Sequence, residues 1–542
     1  MPEDTRATKS DITVNPVYGP EDLKDTAYER DLGDPGQYPF TRGLYPTGYR
    51  KYTWKKQEVS GFGLPEETNQ RQKYLMEHGQ EAYGGRPTMN IAFDLPTQYG
   101  YDSDDPNYMG DVGICGTLVD TIDDMERLFE GLSLEDTVPS YIIEAPSPII
   151  MAMYIAVAEA HGVHRSKLTG NICNDPLHCF ICNHMEVLPP RESLKVMVDM
   201  IEFCTKEMPL FNPVNLNGHD VREAASTAVQ EIAFTLALAH DLAKECIAKG
   251  MAVDDFGPRF SFHFSLDNYF FEEICKVRAV RRMWARMMRE QFGAKNPKSW
   301  MARIYMQCGG STLTRQEPLN NVARTALQAM AAALGGVQGL HTNSYDEVYC
   351  IPTDEAVRVA VKTQKIIEHE TGVTDVVDPL GGSYYVESLT NQIEQEAQAY
   401  LDKIEGMGGY IAAIENGFMV QEIANASMRH QRKVELGERV IVGVNKYVSD
   451  IGEPICLFSY NPRLQEIAKE RLAENRRTRD NAAVQAAVAR LRTACQNDEP
   501  LMPILIDAVK TKATLGELMG VFREVYGEYL DKPVLATSAQ GC

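Results

Sequence analysis

The chain has 542 residues, 44% hydrophobic and 24% charged, which are globular values, with a formal net charge of −22. Such acidity disfavours nonspecific nucleic-acid binding and leaves no polybasic patch for a membrane, so any anionic ligand must be held by local cations. No uncharged run approaches bilayer-spanning length, and Met1 to Asp11 mix acidic and basic groups where a secretory signal would be apolar, so the cytoplasm is expected and the twelve scattered cysteines read as reduced thiols.

In chain order, 1–36 is polar and punctuated by Pro and Gly, a segment expected to wrap over another surface. Pro39 to Arg50 follows, and later Ala92 to Pro106. In both, aromatic rings alternate with turn residues and polar groups, a composition suited to gripping an extended polar ligand. Arg42, Arg50, Lys51, Lys55 and Lys56 fall beside the first.

From Thr88 to Tyr384 a short strand-like run, a turn and a helical segment recur. The strand-like runs are Thr88–Leu95, Pro139–Glu144, Leu168–Asn174, Pro213–Gly218, Arg259–Leu266, Ala302–Gly309, Gly339–Ser344 and Val373–Pro379. This pattern predicts an α/β fold, a (β/α)8 TIM barrel over 88–385, with a doubly wound open sheet as the alternative. A ligand-gripping N-terminal extension, 1–87, and a C-terminal helical region, 386–542, flank it. Asn171, Asn174, Asn215, Asn217, Ser261, His263, Gln307, Thr342 and Asn343 stand where a packed barrel would carry Val, Ile and Leu, so a wet or ligand-occupied axis is expected. After the barrel, Thr390–Ala426 reads as helices, Arg439–Tyr447 as a short strand into a turn, Pro462–Gln496 as a charged helical extension and Leu501–Tyr529 as a terminal helical pair.

Phe40-Thr-Arg-Gly, Tyr45-Pro-Thr, Phe93-Asp-Leu-Pro-Thr, Gly100-Tyr-Asp-Ser-Asp, Pro258-Arg-Phe-Ser-Phe, Lys295-Asn-Pro-Lys-Ser, Leu340-His-Thr-Asn-Ser-Tyr-Asp-Glu, Asp378-Pro-Leu-Gly-Gly-Ser and Gly443-Val-Asn-Lys together resemble the coenzyme A-binding part of the methylmalonyl-CoA mutase family, the adenosylcobalamin-dependent acyl-CoA mutases. The resemblance implies that the pantetheine arm of an acyl-CoA runs down the barrel axis. Carried over by position, Tyr45, Thr47, Arg259, Ser261, Lys298 and Gln338 would contact coenzyme A, with Arg259 and Lys298 as phosphate partners. Glu223, Gln307, Gly310, Asn343 and Glu347 would face the cofactor. The implied chemistry is a radical rearrangement in which a group migrates between adjacent carbons, the cofactor carrying the hard step. No histidine has an Asp two residues before it, so the family's cobalt-ligating Asp-x-His-x-x-Gly is missing. The implied partner is therefore a separate small cobalamin-binding subunit, in a hetero-oligomer or around a homodimer of large subunits.

The reacting end departs from the family. Gly-Tyr-His becomes Gly218-His219-Asp220, so either Asp220 takes the thioester-facing place, donating only if protonated, or the backbone shifts and His219 takes it. The Arg that pairs with a substrate carboxylate aligns with Asn183, and the Tyr that packs on the substrate aligns with Val59. Without the Arg a buried carboxylate would stay uncompensated, which argues against methylmalonyl-CoA and for a branched or hydroxylated acyl group. Cys173 replaces the usual Gln, and Asp175, His178, Cys179, Cys182 and His184 follow; this could form a metal site, but no metal is expected because the segment aligns with the pocket and a helix start. The leading expectation is a mutase large subunit, an isomerase. The alternative is a noncatalytic acyl-CoA-binding partner derived from one, and a metal-dependent barrel hydrolase ranks third.

Overall fold

A computed structural model describes residues 6–449 and 455–529; the outermost parts of the two flanking regions, 1–5 and 530–542, and the stretch 450–454 lie outside the described residues. The strands around the axis are β1 (Lys55–Lys56), β2 (Thr88–Ala92), β3 (Val138–Ile142), β4 (Gly170–Ile172), β5 (Phe211–Asn212), β6 (Val214–Asn217), β7 (Phe260–Leu266), β8 (Arg303–Cys308) and β9 (Gly339–His341). They form two parallel sheets, ordered β1-β9-β8-β7-β6 and β2-β3-β4-β5. β5 and β6 are one extended run divided at Pro213, which has no N–H to give a ladder.

Single backbone bonds stitch the two sheets at both seams. Asn215 N donates to Cys173 O at 3.0 Å, and Ser60 N, just beyond β1, donates to Asn90 O of β2 at 2.9 Å. Across the axis the Tyr305 hydroxyl of β8 donates to Gln57 O at 2.7 Å and accepts from Asn90 Nδ2 at 2.9 Å. The fold is the TIM-barrel-like α/β arrangement, its ladders interrupted at the seams.

One expected strand is absent. Val373–Pro379 forms turns, with Asp378 at φ 50° accepting from Arg42 and Arg278, and its Asp-Pro-Leu-Gly-Gly run explains why no ladder starts there. Its place beside β9 is taken by β1, Lys55 N donating to Gln338 O at 3.0 Å and Gln57 N to Leu340 O at 3.1 Å. Arg439–Tyr447 likewise makes a turn, organised by Asn445, whose Oδ1 accepts from Ile441 N and whose Nδ2 donates to Val434 O and Arg439 O.

Helices fill the segments between and after the strands. Ser147–Ala160, apolar on nearly every side, is buried between barrel strands and the terminal helices Leu501–Lys510 and Leu515–Tyr526, with which it shares one core. Helices Leu464–Thr478 and Asn481–Gln496 carry the charged extension. The early segment crosses the outside of the barrel, Lys9 pairing with Asp267 at 2.5 Å and Asp31 with Arg286 at 2.9 Å.

Candidate active site

At the N-terminal ends of the strands two cavities adjoin. The wider, about 540 Å³, lies between Arg42–Thr53 on one side and Gly335–Gln338 with Val376–Pro379 on the other, and Tyr45 and Thr47 line it. The second, about 280 Å³, enters the axis among Asn171, Asn212, Asn215, Ser261 and Tyr305; Tyr45, Tyr83 and Gln338 border both. Gln338 is fixed by accepting from Ile304 N at 2.9 Å and donating to Gly336 O at 2.9 Å, and Ser261 donates to Val214 O at 3.0 Å.

Three cations line the axial cavity with no ion pair among the described residues: Lys55, Arg86 and Arg303. Arg86 donates to Asp136 O, Glu135 O and Thr169, and Arg303 to Pro258 O, so their positive charge is hydrogen-bonded but not neutralised. Burial first, then Arg86 and Arg303, pulls the Lys55 ammonium down to about 8. Arg259 belongs to the same field, its guanidinium lowered by burial and by Arg303, while Lys298 is exposed on the 297–300 turn packed against 257–259. Of these cations, Arg86 and Arg303 escaped the sequence reading. Their signal was an Arg at the edge of two barrel strands.

At the opposite ends of the strands, β6 stops at Asn217 and a short helix begins at His219. His219 and Asp220 are therefore neighbours on a helical turn, not on opposite faces of a strand. His219 turns inward and stacks on His263 of β7, ring centroids 4.9 Å apart and 3° from parallel, and His263 meets Tyr305 edge-on at 5.0 Å. Burial lowers both imidazoles from their ordinary value, which favours the neutral ring in each. His219 Nδ1 is buried without a partner, and placing the ring proton on Nε2 avoids a stranded donor.

Asp220, beside His219 on the same turn, faces His178 and Asn183. Its Oδ2 accepts from His178 Nε2 at 3.1 Å and from Asn183 Nδ2 at 3.1 Å. Burial would raise this carboxyl, but the His178 hydrogen bond and charge outweigh it and hold Asp220 well below the usual carboxylate range. Burial likewise opposes a charge on His178, yet its surroundings, Asp175 and Asp220 among them, raise the imidazole well above its ordinary value. Cys173, buried and with its thiol raised by burial, lies beneath, its Sγ 3.5 Å from Asn215 O. Glu144, at the end of β3, faces Cys173, His178 and Asp220; it is buried, its Oε2 has no partner, and burial pushes it up to about 8. Of these, Glu144 escaped the sequence reading, which had His263 only as an axis residue and His178 only in the metal-like cluster.

Cys173 and Cys182 meet backbone oxygens, His178 meets Asp175 and Asp220, Cys179 lies 3.8 Å from the His178 ring and His184 pairs with Glu186; among the described residues no three His, Cys, Asp or Glu side chains are grouped to hold a metal ion. Val59 sits half-buried at the rim, its amide 2.8 Å from His341 Nδ1.

A third group surrounds Gly309-Gly310. Glu223 Oε2 accepts from Ser311 N at 2.8 Å, and a Cβ on Gly310 would meet Glu223 Oε2 at 3.4 Å and Asn343 Nδ2 at 3.6 Å. Asn343 Oδ1 is buried without a partner, and Glu347, raised by burial to about 7, faces His341 and Glu223. Gln307 is hydrogen-bonded to His263, which ties this group to the histidine stack.

The family model described as methylmalonyl-CoA mutase matches residues 7–528. Among curated relatives, the 2-hydroxyisobutanoyl-CoA mutase large subunit of Aquincola tertiaricarbonis is 40% identical over 531 residues, 97% of this chain and 93% of that protein. The methylmalonyl-CoA mutase of Rhizobium meliloti (strain 1021) is 39% identical over 536 residues, 98% of this chain and 74% of that one. That of Escherichia coli (strain K12) is 39% identical over 526 residues, 96% and 72% respectively. With its strand ends presenting a polar axis, a cationic mouth and a buried histidine pair, this chain belongs to the methylmalonyl-CoA mutase family, a family of isomerases.

Proposed function

We propose that the protein is the large, substrate-binding subunit of an adenosylcobalamin-dependent acyl-CoA mutase that rearranges a branched or hydroxylated acyl-CoA other than methylmalonyl-CoA. The observation that carries this reading is the uncompensated cation group Lys55, Arg86 and Arg303 at the mouth of an axial cavity walled by Asn and Ser, on a chain of net charge −22. A phosphate-bearing ligand with a long amide arm suits that mouth and that axis. Tyr45, Thr47, Ser261 and Gln338 line the two adjoining cavities, and Arg259, which feels the Arg303 charge, extends the positive field.

Such an arm would bring the thioester to the stacked histidines. Neutral His219, with its proton on Nε2, would donate to the thioester oxygen, and His263, oriented by Gln307, would support the ring from behind. Asp220 cannot serve as that donor, since His178 and Asn183 hold it as an acceptor. His219 and His263 are themselves buried, which would shield that contact from water.

The family is cobalamin-dependent, and the Gly309-Gly310 turn fits such a group: a stretch without side chains, bordered by Glu223, Asn343 with its unpartnered Oδ1, and Glu347. Adenosylcobalamin, when bound there, supplies the radical chemistry; the residues of this chain would hold its adenosyl side. A separate small cobalamin-binding subunit is the proposed partner, supported by the relative named as a large subunit. The noncatalytic alternative has no observation in its favour. Among the described residues no helix is long and apolar enough to cross a membrane, and the cytoplasm is the proposed location. The test is reconstitution with that subunit and adenosylcobalamin, followed by a panel of branched, hydroxylated and carboxylated acyl-CoA thioesters. Isomerisation of a non-carboxylated member is expected. No turnover of any member, with no organic radical signal by electron paramagnetic resonance, would overturn the proposal.

A further inference from the structure

The acyl end of the site contains a carboxylate placed to accept. Both hydrogen bonds to Asp220 fall on Oδ2, from His178 and Asn183, and its side chain keeps 32% exposure while the His178 side chain behind it has 1%. Asp175, the second carboxylate on His178, is committed to the interior, accepting from Asn217 N at 2.8 Å and His178 N at 3.3 Å. Glu144 stands on the same side with an unpartnered, buried Oε2. The group therefore leaves one carboxylate accessible and keeps one oxygen of a second carboxyl without a partner behind it.

We propose that the Asp220 carboxylate, braced by His178 and Asn183, accepts a hydrogen bond from a hydroxyl on the acyl group and so selects hydroxylated acyl-CoA thioesters. This rests on the acyl-CoA reading above and narrows it. A carboxylated acyl group would meet Asp220 as a like charge, with Asn183 already donating to it. A plain alkyl group would cover a carboxylate without replacing its water, which costs free energy. An ammonium group would seek a full countercharge, and that of Asp220 is already paired with His178. A neutral hydroxyl satisfies the free lone pairs without adding charge.

The experiment is calorimetric titration of the full chain with free coenzyme A and with three thioesters of one branched skeleton bearing hydrogen, hydroxyl or methoxy at the same carbon. The hydroxyl compound is expected to bind about 10-fold or more tighter than its hydrogen analogue, the range for a hydrogen bond to a charged group. The methoxy compound should lose that gain, since it cannot donate. In Asp220→Ala the hydroxyl-to-hydrogen ratio should fall to about one, with affinity for free coenzyme A unchanged. If that variant fails to fold, the three thioesters on the unaltered chain decide alone. Equal affinity for hydroxyl and hydrogen compounds, or a ratio that survives Asp220→Ala, overturns the inference while leaving the acyl-CoA reading intact. Absence of binding by free coenzyme A and every thioester overturns both.

Discussion

Asp378 joins the two walls of the wider cavity, and Asp378→Asn should loosen both the fold and the ligand site. Its side chain is 4% exposed, with Oδ2 taking Arg42 Nε at 2.9 Å and Oδ1 taking Arg278 Nη1 at 2.5 Å. Asn tolerates the positive φ of this position, so the backbone is spared. The amide can accept through one atom only and turns an NH₂ toward the other arginine. Arg42, whose side chain is 21% exposed, regains water and loses little. Arg278, 1% exposed, keeps Glu387 but loses half its countercharge. Replacing two ion-pair bonds by one bond to a neutral acceptor and one repulsive contact costs about 2–4 kcal/mol. Urea unfolding reads this as a lower midpoint at unchanged slope. Because Arg42 and Asp378 both line the cavity, coenzyme A affinity should fall about 10-fold or more, equivalent to roughly 1.4 kcal/mol or more. A variant within about 0.5 kcal/mol of the parent, with the same coenzyme A affinity, would refute the idea that this residue clamps the walls.

Glu144 is raised to about 8, so the folded chain keeps a proton that the unfolded chain releases near 4.5; its contribution turns against folding as pH rises from about 4.5 to 8. Glu144→Gln should remove roughly 3 kcal/mol of that loss by pH 7, and urea midpoints at pH 5 and pH 8 that fall in parallel for variant and parent would contradict it. Arg303→Met should weaken coenzyme A binding about 10- to 100-fold and reduce its salt dependence, measured by titration at two ionic strengths; an unchanged salt response would remove Arg303 from the phosphate field. Gly61→Ala places a Cβ 2.0 Å from Ala92 O beside the β1–β2 seam, so it should cost about 3 kcal/mol or prevent folding, read from soluble yield and thermal melting.

Much of the architecture was legible because helices here are long and strongly patterned and because polar residues in strand-like runs marked the axis. The ring-closing strand was not. Lys55-Lys56 has no β-former, and only its bonds to Gln338 and Glu81 make it a strand, which a local pattern cannot show. Val373–Pro379 misled for the opposite reason, since its valines look strand-like while Asp378 is held in a turn by arginines from distant segments. At the site, the resemblance named Tyr45, Thr47, Ser261 and Gln338, and these line two adjoining cavities. It could not orient His219 and Asp220, because the end of β6 at Asn217 sets their faces. Nor could it show that Asp220 is an acceptor, which depends on His178, forty-two residues away in sequence.

The pairing of Lys55 with Gly339 and Lys56 with Leu340 also carries a timetable. An early-made strand waits for one of the last-made strands, so the ring shuts only after nearly the whole barrel has been synthesised, and that long-range closure is a slow step by its topology. The segment that waits is continuous with Tyr45–Thr53, and the segment that arrives is continuous with Val337 and Gln338, the two sides of one cavity. A ligand lodged between them works as a clasp, favouring the closed ring in proportion to the logarithm of its concentration.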